Sequence, residues 1–175
     1  MSDTLKVAVL VEADYQDLEV WYPLLRLREA GYQAVSVGTG SSPVYKGKYG
    51  YSITVDASIE RVRASDVRGV VIPGGWAPDK LRMSEAVLAF VRDLNSAGKV
   101  VAAICHAGWV LASADIVRGK RVTSFRAIRD DLVHAGALWS DEEVVVDGNL
   151  VTSRTPDDLP AFMKATLRLL AEGGS

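Results

Sequence analysis

Short apolar runs alternate along the chain with longer stretches of helical periodicity. Leu5 to Val11 reads as a strand interrupted only by Lys6, and Glu12 to Asp17 as the polar connection at its carboxyl end. Asp17 is expected to cap a helix over Leu18 to Ala30, with Leu18, Trp21, Tyr22 and Leu25 on its apolar stripe, Pro23 bending it and Gly31 stopping it. Gln33 to Val37 follows as a strand, and a right-handed crossover makes it parallel to the first. Gly38 to Gly50 reads as loop or hairpin, Tyr51 to Val55 as a short strand, and Gly69 to Ile72 as a buried one. Ser84 caps a helix running to Ala97, whose buried stripe is Val87, Leu88, Val91 and Leu94.

Val100 to Ile104 is a continuous apolar run, as expected of a strand covered on both faces, and it runs directly into a helix over Ala107 to Ala114. Lys120 to Phe125 predicts a further strand and Ile128 to His134 a short helix ending near Gly136. Glu143 to Ser153 predicts a hairpin around Asp147-Gly148, and Asp158 to Leu170 a closing amphipathic helix with Pro160 in its first turn. This alternation predicts one domain over residues 1–175, an α/β three-layer α/β/α sandwich with a mostly parallel, flavodoxin-like sheet.

The only cysteine, Cys105, falls where the apolar strand meets the helix. Small residues two before and two after it, Ala103 and Ala107, suit a nucleophile elbow with cysteine for serine. There the first free N–H groups of a helix favour a thiolate. The alternative is a small buried hydrophobe. The Pro73-Gly74-Gly75 turn tips the balance to chemistry, because it ends a second strand in backbone able to approach the thiol and donate to an oxyanion.

Composition narrows the rest. At 49% hydrophobic and 24% charged residues, with a formal net charge of -2, the chain has no basic excess with which to bind nucleic acid. One cysteine forms no intrachain disulfide, and with only His106 and His134 beside it no zinc cluster is expected. No metal or cofactor is expected. The polar start, Met-Ser-Asp-Thr, and the absence of a spanning apolar run give cytoplasm, with no membrane partner, as the expectation.

Five segments taken together, Asp17-Leu-Glu-Val-Trp-Tyr-Pro23, Pro73-Gly-Gly-x-Ala-Pro78, Ala103-Ile-Cys-His106, Thr123-Ser-Phe-x-x-Ile-x-Asp-Asp131 and Glu143-Val-Val-Val-Asp-Gly-Asn149 with Ser153-Arg154, resemble the DJ-1/PfpI superfamily. More narrowly they are similar to its branch of intracellular proteases and general stress proteins. The resemblance implies a class I glutamine amidotransferase-like sheet with the elbow cysteine at Cys105, a histidine at His106, and an acid at Asp79 that reaches the histidine across a subunit interface. It also implies a glutamate from the first strand-helix connection on the thiol, which by this register falls on Gln16, with Gly74, Gly75 and the His106 N–H as oxyanion donors. Glu12 and Asp14 are nearby carboxylates off the family position. Phe125 stands where glyoxalase-type members carry tyrosine, and Thr152 to Asp157 lacks the histidine that an amidotransferase needs.

Three functions follow from that register. The first is a cysteine-dependent hydrolase of the peptidase type, its activity lowered because glutamine exchanges no proton near neutral pH. The second is a thiol sensor of oxidative stress or chaperone-like protein, and the third a glyoxalase or deglycase acting on methylglyoxal. A homodimer or homohexamer is implied, with a peptide or a small carbonyl compound as substrate.

Overall fold

The computed structural model describes residues 5–173, so the polar start at residues 1–4 lies outside it. Strand β1 (Lys6–Val11) leads to helix α1 (Asp17–Glu29) and strand β2 (Gln33–Gly38). A hairpin of β3 (Val44–Lys46) and β4 (Ser52–Thr54) follows, then the short β5 (Ala57–Ser58) and the buried β6 (Gly69–Ile72). Helices α2 (Ala77–Leu81) and α3 (Glu85–Ser96) precede β7 (Val100–Ile104). Beyond it come α4 (Gly108–Ser113), β8 (Arg121–Val122), α5 (Arg129–His134) and β9 (Leu138–Trp139). Hairpin β10 (Val144–Asp147) and β11 (Leu150–Ser153) and helix α6 (Leu159–Glu172) close the chain.

The main sheet runs in the order β10-β11-β7-β6-β1-β2-β5. Every pairing in it is parallel except that of β10 with β11. With helices on both faces this is the expected three-layer α/β/α sandwich. β6, β7 and β1 are apolar because each is covered twice: all of Gly69–Ile72 and Val100–Ile104 is buried. Strand order reverses between β1 and β6, so the loops after these two strands part above the sheet and leave a crevice. β7 delivers Cys105 beside it.

Three expectations need correction. The helix cap is Gln16 rather than Asp17: the Gln16 side chain accepts the Glu19 N–H at 3.1 Å. Asp17 instead takes the N–H groups of Tyr49 and Tyr51, both at 3.0 Å, pinning the β3-β4 hairpin to the start of α1. The buried face of α1 consists of Glu19, Val20, Pro23, Leu24 and Leu27, whereas Leu18 and Leu25 are 56% and 58% exposed. Of the expected stripe, Trp21 and Tyr22 are half-buried against the core, and only the two leucines face out. Finally, Thr123 to Phe125 leaves β8 early, since Thr123 and Ser124 are buried and held by side-chain bonds to Thr152 and Trp139. Among the described residues no helix is long and apolar enough to cross a membrane.

Leu24 is fully buried between α1 and the sheet. Leu24→Ala is expected to lower the free energy of unfolding by about 3 kcal/mol, read as a lower urea midpoint, through lost transfer energy and the cavity left behind. An unchanged midpoint would contradict this assignment of the α1 core face.

Candidate functional site

Cys105 is the first residue after β7 and has φ +62, in the left-handed region that a residue with a side chain enters at a cost. A single 3-10 turn over Cys105–Ala107 then opens α4. The strained turn aims the thiol back over the sheet edge, as the elbow reading requires. Cys105 Sγ lies 3.3 Å from His106 Nδ1, and the N–H groups of Gly75 and His106 both act on the sulfur.

The loops after β1 and β6 are stitched together across the crevice. Gln16 N–H donates to Gly74 O at 3.1 Å and Trp76 N–H to Asp14 O at 2.9 Å, and Tyr15 and Gly75 form a single β-bridge. Gly75 needs its φ of +74 to make this pairing. Gly74 is needed for space: a Cβ there would lie 2.6 Å from Cys105 Cβ, 2.6 Å from Glu19 Oε2 and 3.0 Å from Cys105 Sγ. The thiol and the Glu19 carboxyl therefore flank the same empty spot.

That carboxyl corrects the register read from the sequence. The group beside the thiol is Glu19, in the first turn of α1, while the Gln16 amide oxygen is committed to the helix cap. Glu19 is fully buried, and its Oε2 accepts the Gly74 N–H at 2.6 Å. Gly74 N–H is thus spent on Glu19, leaving Gly75 and His106 as the backbone donors at sulfur. The remaining oxygen, Glu19 Oε1, is buried without a hydrogen-bond partner. The carboxylates of Glu12 and Asp14 are engaged elsewhere. Glu12 holds Ala13 N–H, Thr39 and Ser41, and Asp14 pairs with Lys80.

Burial pushes the Glu19 carboxyl up to about 7, opposed by the Gly74 N–H, the contact with Cys105 and the charge of Lys48. Burial, then the Glu19 charge, raises the Cys105 thiol as well, while the His106 and Gly75 N–H groups lower it. Two anions in this pocket repel, so ionisation of either group opposes ionisation of the other. Burial and then Lys48 lower the His106 pKa, which leaves the imidazole neutral near pH 7.

Aromatic rings enclose His106. Phe125 stacks on it at 4.7 Å, Trp109 meets it edge-on at 5.3 Å and Trp76 is tilted at 5.7 Å. Phe125 is set there by its N–H bond to Cys105 O at 3.2 Å. Above the sulfur lies a hollow of about 150 Å³, with Lys48, Tyr49 and Pro156 among its lining residues. Asp79 is exposed on α2 and makes no hydrogen bond with His106 among the described residues. Nor, among those residues, do three or more His, Cys, Asp or Glu side chains gather as a metal site.

The chain matches the DJ-1/PfpI family over residues 5–169. It is 43% identical over 167 residues to the protein/nucleic acid deglycase 2 of Escherichia coli, covering 94% of this chain and 97% of that one. It is 40% identical over 167 residues to general stress protein 18 of Bacillus subtilis, with the same coverage of 94% and 97%. Among solved structures, Drosophila melanogaster DJ-1beta superposes with a TM-score of 0.89 at 31% identity, over 98% of this chain and 94% of that one.

The folded pKa of Glu19, about 7, stands above its ordinary value of 4.5. Its protonated form is the one the fold prefers, so its contribution to stability is full below pH 4.5 and is lost as pH rises through 7. Relative to Glu19→Gln, the native protein is expected to lose about 3 kcal/mol between those limits. Urea unfolding of both proteins across pH 4 to 8 checks this, and a pH-independent difference would overturn it.

Proposed function

The chain belongs to the DJ-1/PfpI family, and we propose that Cys105 and Glu19 carry out a glyoxalase or deglycase reaction on α-oxoaldehydes and their adducts. The observation that carries this reading is the buried Glu19 carboxyl beside the thiol, with one oxygen free of other partners. With Gln16 alone at that position, proton movement between neighbouring carbons had no agent. Glu19 supplies one whose pKa lies near working pH, where a group both takes and returns a proton.

The steps balance without a cofactor. With Glu19 protonated, Cys105 thiolate adds to the aldehyde carbon: an S–C bond forms and the C=O π pair moves to oxygen. That oxygen is met by the Gly75 and His106 N–H groups and takes the proton from Glu19, giving a hemithioacetal. Glu19, now ionised, removes the proton from this carbon and returns it to the neighbouring carbonyl carbon through the enediol, while the hydroxyl proton passes from the first oxygen to the neighbouring one, leaving a thioester. Water then cleaves the thioester, releasing a 2-hydroxy acid and the thiol. Methylglyoxal plus water becomes lactate.

A peptidase reading is weaker on the same geometry. It asks an acid to orient His106, and within the chain Asp79 points to solvent; the hollow over the thiol is also small for a peptide. A neighbouring copy is the remaining source of that acid. The exposed stripe of Leu18 and Leu25 on α1, continued by Tyr49 and Tyr51, supports self-association as a dimer or a larger assembly of dimers. Tyr49 belongs both to this patch and to the rim of the hollow. Leu25→Asp is expected to reduce the mass found by sedimentation equilibrium, and an unchanged mass would remove this face as the interface.

Lactate formation from methylglyoxal tests the reaction. Cys105→Ala is expected to abolish it, Glu19→Gln to lower kcat by roughly 100-fold or more, and Gln16→Ala to act only through a weakened helix cap. Equal rates in Glu19→Gln and the native protein would defeat the reading. Absent turnover combined with rapid, Cys105-dependent addition of oxygen from peroxide, seen by intact mass, would favour the thiol sensor instead.

A further inference from the structure

We propose that the hollow above Cys105 is an aryl-selective slot, one that favours α-oxoaldehydes carrying a flat apolar substituent over methylglyoxal. This rests on the carbonyl-addition reading for its chemistry and goes beyond it in naming the substrate class. The walls are rings: Trp76, Tyr49, Phe125 and the pyrrolidine of Pro156, with Cys105, His106 and Gly75 as the floor. At about 30 Å³ for each water in the liquid, a hollow of about 150 Å³ takes several waters. Methylglyoxal brings one methyl group to those walls and leaves much of them wet. An aryl group covers them and expels that water.

The two sides of the slot differ in how firmly they are held. Trp109 backs His106 and is itself fixed, its Nε1–H donating to Asp131 Oδ2 at 2.7 Å while the Arg82 guanidinium lies 5.5 Å above its ring. With Phe125 stacked on the imidazole as well, the His106 side is held by contacts from within the chain. Trp76 and Tyr49 on the other side are 56% and 74% exposed, the Tyr49 ring with the Lys48 ammonium 5.1 Å over one of its faces. A flat group entering between them gains apolar contact on ring faces that are otherwise in water.

Charge distinguishes an aryl group from the other usual occupant of aromatic walls, an organic cation. Among the described residues lining the slot none is acidic, and Lys48 stands at its rim. The Lys48 charge reaches far enough in to lower the His106 pKa. A quaternary ammonium would meet repulsion there, whereas a neutral ring does not.

The first measurement is kcat/KM for phenylglyoxal and for methylglyoxal, each divided by the rate of addition of a small free thiol to the same aldehyde. The reaction is the one already balanced, phenylglyoxal and water giving mandelate. The corrected ratio is expected to favour phenylglyoxal by roughly tenfold or more and to fall in Trp76→Ala. The second measurement requires no turnover: alkylation of Cys105 by 2-bromoacetophenone and by bromoacetone, again corrected with a free thiol. Here Cys105 sulfur bonds to the methylene carbon as bromide leaves with the C–Br pair.

An aryl preference in alkylation that Trp76→Ala removes upholds the slot even where neither aldehyde is turned over, an outcome that would count against the reaction alone. Turnover of both aldehydes with a corrected ratio near one, unchanged in Trp76→Ala, overturns the slot and leaves the reaction standing. A ratio near one in alkylation, with no turnover, overturns both.

Discussion

The arrangement depends on a missing side chain. At Gly74 the backbone of one loop passes so close to Cys105 and Glu19 that a single methyl would collide with both. Its N–H, freed from any strand partner by the turn, fixes Glu19 Oε2 at 2.6 Å. This one bond ties α1 to the end of β6 while the elbow after β7 holds the thiol above them. Three separate elements thus converge on one spot, and a buried carboxyl and a buried thiol come to face each other. The electrostatic cost is limited because burial and mutual repulsion hold back the ionisation of both groups.

The strain at Cys105 and the raised pKa of Glu19 then have a common origin. A parallel sheet places its strand ends in a row, and at the point where strand order reverses the following loops separate. Cys105 turns into that gap with φ +62, and Glu19 is carried into it by the first turn of α1. Both groups lose their water there, which raises the energy of their charged forms. Backbone N–H groups from Gly74, Gly75 and His106 offset part of that loss without bringing in a further titrating side chain. The site is built largely from backbone, which explains why glycine is found where a larger residue would otherwise pack.

Most of the scaffold was legible because its physics is local or periodic. The doubly covered strands β1, β6 and β7 announce themselves as apolar runs, Ser84 caps α3, and the Asp147-Gly148 turn makes its hairpin. Cys105 and the Gly75 turn were legible as ends of such runs. Glu19 was not, and α1 shows why. Its sequence carries two apolar stripes, Leu18-Trp21-Leu25 and Val20-Leu24-Leu27, and periodicity alone does not say which one faces the sheet. Choosing the first places Glu19 in solvent and leaves Gln16 as the polar residue nearest the thiol. The signal in favour of the second was Pro23, which lies with Glu19 on the buried face one turn further along.

The choice between those stripes also bears on what surrounds the site. Leu18 and Leu25 are as apolar as the core residues, yet the chain leaves them outside, beside Tyr49 and Tyr51. The same hairpin that Asp17 pins to α1 also sets Tyr49 and Lys48 at the rim over Cys105. The two backbone N–H bonds to the Asp17 carboxylate therefore position both the exposed apolar surface and one side of the hollow over the thiol. The apolar patch and the hollow over the thiol thus share Tyr49, carried by the turn between β3 and β4.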